Sequence, residues 1–148
     1  MNYIGLNKYD TANGPGIRVS LFVSGCTIHC SNCFNKESWD FNAGSLYTDK
    51  VQEDIIKTLQ ESYINGLSIL GGDPLEPQNQ DTVLNLVKAV RASTPKSIWL
   101  WTGRIHRQVK DNPILKYIDV LVDGPYIHSL KPVQYAGSCN QNIIFLRK

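Results

Sequence analysis

Residues 17–23 (Ile17-Arg18-Val19-Ser20-Leu21-Phe22-Val23) alternate and then run apolar without a break. That is the pattern of a strand buried in a parallel sheet. Residues 67–70, 97–102 and 118–123 repeat it, closed by Gly71-Gly72, Gly103 and Gly124 respectively. Between the first two runs, Val51, Ile55, Ile56, Leu59 and Tyr63 fall at helical spacing and predict a helix facing a core. Thr48 or Asp49 is its N-cap, and Asn65-Gly66 ends it. A second helix is predicted over residues 81–92, with Val83, Leu84, Leu86, Val87 and Val90 apolar, stopped by Pro95. A shorter one covers residues 105–110 and resumes at Ile114, and residues 142–146 form a last strand. Residues 3–16 read as a turn-rich lead-in punctuated by Asn13-Gly14-Pro15-Gly16, residues 34–47 as a long loop, and residues 126–138 as irregular.

Strand and helix in alternation imply a mostly parallel sheet with right-handed crossovers. A complete eight-unit barrel takes about 250 residues. The 148 residues here have room for about half the units. The expected class is therefore α/β: an open, partial (βα) barrel built from one domain over residues 1–148, with its functional loops on one rim.

Composition narrows the function by exclusion. Hydrophobic content of 42% and charged content of 19% are ordinary for a globular protein. A net charge of +2, with Lys and Arg scattered, gives no basic patch for nucleic acid or a membrane surface. No stretch approaches a membrane span, and Met1-Asn2-Tyr3-Ile4-Gly5 lacks the charged and apolar regions of a secretory leader. The expectation is a cytoplasmic protein in a reducing compartment, where thiols stay free for metal.

The chemistry concentrates directly after the first apolar run. Cys26, Cys30 and Cys33 stand at C-x3-C-x2-C in Gly25-Cys26-Thr27-Ile28-His29-Cys30-Ser31-Asn32-Cys33-Phe34-Asn35. Three thiolates on one short loop can hold three irons of a 4Fe–4S cube, which usually takes four cysteines. The remaining iron is then open to a small molecule carrying an amine and a carboxylate. Other readings exist. The three cysteines and Cys139 could close a structural zinc site, although Cys139 has no cysteine or histidine beside it. Four cysteines also allow disulfide pairing, and a cube can simply carry electrons.

A second glycine-rich turn, Gly71-Gly72-Asp73-Pro74, follows the next strand. Without Cβ atoms, Gly71 and Gly72 let backbone approach a ligand, and their carbonyls can accept from an ammonium group, with Asp73 adding a carboxylate. His29 reads as loop, and His106 and His128 as surface. Arg18 and Arg104 read as solvated charges, with contact to a partner or ligand carboxylate as the other reading. Trp39, Trp99 and Trp101 read as core or rim packing. Asp119 and Asp123 flank a strand, and the role of Asp123 is open.

The cysteine spacing resembles the signature of the radical S-adenosylmethionine (SAM) superfamily. The motifs Asn13-Gly14-Pro15-Gly16-Ile17-Arg18, Gly71-Gly72-Asp73-Pro74-Leu75, Trp99-Leu100-Trp101-Thr102-Gly103, Val120-Leu121-Val122-Asp123-Gly124 and Gly137-Ser138-Cys139-Asn140-Gln141 narrow the resemblance. They are similar to the glycyl-radical-enzyme activases that serve the anaerobic ribonucleoside-triphosphate reductase. The resemblance implies that Cys26, Cys30 and Cys33 ligate a 4Fe–4S cluster. It also implies that Asn32, Cys33 and Phe34 lie along SAM and that Gly71, Gly72 and Asp73 meet its methionine end. The implied partners are that reductase and a low-potential donor such as reduced flavodoxin, with a pyruvate formate-lyase as the alternative protein substrate. Cys139 stands where the family usually has a small residue such as serine, and Asn32 where many superfamily members carry an aromatic.

Overall fold

The computed structural model describes residues 1–30 and 36–147. Its strands are β1 (Asn2–Asp10), β2 (Arg18–Val23), β3 (Ser45–Leu46), β4 (Gly66–Gly71), β5 (Ser97–Trp101), β6 (Val120–Asp123) and β7 (Asn142–Phe145). The helices are α1 (Asp49–Leu59), α2 (Pro77–Ser93) and the single turn α3 (His106–Val109), with 3-10 turns at Lys36–Trp39 and Pro113–Lys116.

The apolar runs become the centre of one sheet, in the order β3-β1-β2-β4-β5-β6-β7. β2, β4, β5 and β6 are parallel, with Leu21 beside Ile69 and Ile69 beside Leu100. β1 and β3 on one side and β7 on the other are antiparallel. The sheet is thus mixed rather than mostly parallel, and it ends in two edges, so no closed barrel forms among the described residues.

Alternation along each strand gives the sheet two chemically different faces. Val19, Leu21, Val23, Leu67, Ile69, Ile98, Leu100 and Leu121 point toward α1 and α2 and pack on Ile55, Leu59, Val83, Leu86, Val87 and Val90. Each such side chain contributes about 1.5–3 kcal/mol by leaving water. Trp99, Val120 and Val122 point the other way, where Ala136 and Tyr135 of the C-terminal segment cover them. Helix α1 starts where Thr48 Oγ1 accepts from the Val51 amide at 3.4 Å, and Pro77 occupies the first turn of α2.

Four elements differ from the sequence pattern. β1 is a strand, not a turn-rich lead-in: it pairs Leu6 with Leu21 across a bulged ladder. Its half-exposed alternation never makes a buried run, which is how an antiparallel strand off the sheet centre reads. Helix α1 stops at Leu59, so Tyr63 lies beyond it, 49% exposed and stacked on Tyr9. Helix α2 begins at Pro77, a turn earlier than predicted, because Pro-Gln-Asn-Gln carries no apolar stripe. Residues 34–47, read as one loop, include the 3-10 turn and β3.

Arg18 is fully buried rather than solvated. Its Nε donates to Ser68 Oγ at 2.8 Å, Nη1 to Ser97 Oγ at 3.0 Å, and Nη2 to the Leu67 and Ser97 carbonyls at 2.9 and 3.0 Å. Burial pulls its pKa down to about 10, which still leaves it cationic at neutral pH. It ties β2, β4 and β5 together. No helix among the described residues is long and apolar enough to cross a membrane.

Candidate metal and cofactor centre

The loop after β2 is pinned at the amides of residues 25–27. Gly25 donates to the Ser38 carbonyl at 2.6 Å and Cys26 to the Trp39 carbonyl at 3.2 Å, so the segment that follows the cysteines closes back on the one that precedes them. Thr27 donates from both N and Oγ1 to Glu76 Oε1, at 2.9 and 2.7 Å. His29, at a φ of 51°, stacks on Trp39 at 4.2 Å.

Cys26 and Cys30 line a cavity of about 470 Å³, together with Gly71, Gly72, Trp101 and Tyr135. That volume lies within the range of about 300–1,000 Å³ usual for small-molecule sites. The cavity opens at the carboxyl ends of the parallel strands, where open α/β sheets bind ligands. Cys30 Sγ accepts from the Tyr126 amide at 3.3 Å, and Trp101 Nε1 donates to the Tyr135 carbonyl at 2.7 Å, which draws the C-terminal segment over the site. Asn32, Cys33 and Phe34, the other residues predicted for this site, lie outside the described residues.

Cys26 and Cys30 are partly buried, and Cys139 is exposed. Burial pushes the Cys26 thiol above its ordinary value, the His29 and Ile28 amides oppose this, and the Asp73 and Glu76 charges add to it. Soft sulfur donors facing a cavity fit iron or zinc, whose binding displaces the thiol proton.

Gly71 and Gly72 sit against the cysteine loop. The Gly72 amide donates to the Val23 carbonyl at 2.8 Å. Asp73 lies behind them, fully buried, and its carboxylate is taken up by protein donors. Thr102 Oγ1 reaches both oxygens at 2.9 and 3.0 Å, and the Leu75 and Gly103 amides donate at 2.9 and 3.1 Å. Arg104 Nη1 completes the set at 2.9 Å. Burial raises the Asp73 carboxyl, and these donors and Arg104 pull it back.

Arg104 is therefore a paired charge, not a solvated one: its Nη2 also meets Glu76 Oε1 at 3.0 Å. Asp123 is buried, accepting from the His106 and Asn142 amides at 2.7 and 3.2 Å, so it joins α3 to the start of β7. Thr27, Glu76 and Thr102 join this cluster although no motif singles them out. The one available signal was Glu76 before Pro77, a poor N-cap residue where Ser, Thr, Asp or Asn is preferred.

Residues 12–144 match the family described as 4Fe-4S single cluster domain. Across nearly the whole chain, the sequence is 43% identical over 145 residues to the anaerobic ribonucleoside-triphosphate reductase-activating protein of Enterobacteria phage T4, covering 97% of this chain and 93% of that one. The Vibrio cholerae protein of the same name is 43% identical over 97% of each chain. The Escherichia coli one is 41% identical over 99% of this chain and all of its own length. The chain belongs to the anaerobic ribonucleoside-triphosphate reductase-activating protein family. A family described by a single 4Fe–4S cluster favours iron over the zinc and disulfide readings of its cysteines.

Proposed function

We propose that this chain, working as one domain in the cytoplasm, is a radical SAM activase of the anaerobic ribonucleoside-triphosphate reductase. The observation that carries the proposal is that Cys26, Cys30, Gly71 and Gly72 line one cavity in a chain of this family. On this reading the open sheet is a partial barrel of the radical SAM type, with its parallel centre supplying the rim.

Cys26, Cys30 and Cys33 would hold a 4Fe–4S cluster, with SAM bound beside it. Together these groups supply reductive cleavage of SAM, fed by a low-potential donor such as reduced flavodoxin, and hence the radical that takes hydrogen from a glycine of the reductase. The chain's own residues do the placing. Gly71 and Gly72 leave room for the amino-acid end of SAM, and Asn32 and Phe34 would lie along it. Asp73 would hold the Gly71-Gly72 turn against the loop after β5 rather than meet the ligand with a free carboxylate. Trp101, Tyr135 and the segment hydrogen-bonded to them keep water from the cavity.

Anaerobic reconstitution tests this. The account expects a brown protein with about four irons per chain that releases methionine and 5′-deoxyadenosine from SAM when reduced. A colourless, zinc-filled protein, or an iron protein that leaves SAM intact, would overturn it.

A further inference from the structure

Glu76 occupies the N-cap position of α2 yet makes no capping hydrogen bond to its own helix. Its Oε1 is turned back to the cysteine loop instead, where it takes the amide and hydroxyl of Thr27 and the guanidinium of Arg104. Nearly all of the residue is buried. It is the side chain that takes up an amide of the pinned segment 25–27, since the other two amides go to backbone carbonyls.

Arg104 extends the tie. Its guanidinium bridges Glu76 and Asp73, its amide donates to Thr102 Oγ1 at 3.1 Å, and its carbonyl accepts from Gly124 at 2.8 Å. Residues at the carboxyl ends of β2, β4, β5 and β6 thus meet in one network that passes through Glu76 and Arg104. We infer that Glu76 is a positioning residue for the cysteine loop, and Arg104 its charge partner: they set Thr27, and through it Cys26, in the ligating arrangement before metal arrives. This deepens the metal-holding reading of the loop and rests on it.

Two substitutions separate positioning from helix capping. Glu76→Ser supplies a good N-cap for α2 but cannot span to Thr27, whereas Glu76→Gln keeps an oxygen within reach of Thr27. Amide exchange is followed in the apo full-length chain, and iron release to a chelator in protein reconstituted with ferrous iron and sulfide. The inference expects Glu76→Gln to stay close to wild type in both. It expects Glu76→Ser to exchange the Thr27 amide, and to release iron, at least about tenfold faster, the scale of a hydrogen bond to a charged group. That loss should appear even though the melting temperature of Glu76→Ser matches that of Glu76→Gln. Exchange and iron retention in Glu76→Ser equal to wild type would overturn it. If wild type takes up no iron, the metal-holding reading fails while the exchange comparison still decides the positioning.

Discussion

The amide of Asp73 donates to the carbonyl of Gly25 at 2.8 Å, so the turn after β4 is stitched to the start of the cysteine loop. The approach leaves no room for a side chain at the preceding residue: a Cβ on Gly72 would lie 2.5 Å from Gly25 O. Gly72→Ala must separate the two loops. We expect a loss of about 1–3 kcal/mol in stability, typical of overpacking, with the far-UV spectrum unchanged. Iron retention and SAM binding should fall much further than stability does. Titration of SAM onto the reconstituted variant checks this, and wild-type affinity would count against it.

Arg18 offers a test of the sheet rather than the site. Arg18→Met keeps bulk but strips the guanidinium from the buried Leu67 carbonyl and from the part-buried Ser97 carbonyl and hydroxyl, while Ser68 Oγ keeps its bond to the Asn13 carbonyl at 2.6 Å. Orphaned buried polar groups cost about 1–3 kcal/mol each. Urea unfolding should therefore show a loss of about 3 kcal/mol or more. A near-neutral result would mean that Arg18 does not tie the strands.

Stability toward acid should report Glu76. Burial opposes its ionisation, but hydrogen bonds from Thr27 and Arg104 outweigh that and hold the carboxyl below the ordinary glutamate value. A carboxyl lowered in the folded state stabilises fully above its unfolded pKa, about 4.3, and loses that contribution as pH falls through the folded value. The melting-temperature gap between wild type and Glu76→Gln should hold from about pH 7 to about pH 5 and close below about pH 4. A gap that stays constant into acid would contradict the charged role.

Cys139 separates iron from zinc. It is exposed and lies apart from the cavity lining. Cys139→Ser should retain about four irons per chain, whereas serine at Cys26, Cys30 or Cys33 should reduce this sharply. Metal analysis after anaerobic reconstitution reads both.

The central strands were legible because burial on both faces leaves an unbroken apolar run, as in Val120-Leu121-Val122. β1 was not, because its register depends on pairing with β2 and its sequence is half polar. The cysteine loop and Gly71-Gly72 could be found from spacing alone, since their chemistry is local. The clamp around Arg104 could not: Thr27, Asp73, Glu76 and Arg104 belong to three different strand ends, and only the parallel sheet brings them together. Arg18 misled for a related reason, because an arginine in an apolar strand reads as surface until Ser68 and Ser97 are seen beside it.

The most direct measurement mixes the reduced, SAM-supplied protein with the anaerobic ribonucleoside-triphosphate reductase and records the electron paramagnetic resonance spectrum. The account expects a persistent organic radical on the reductase, split by one α-hydrogen, that needs SAM and an intact Cys26, Cys30 and Cys33. A loaded protein that cleaves SAM yet leaves the reductase without that signal would contradict it.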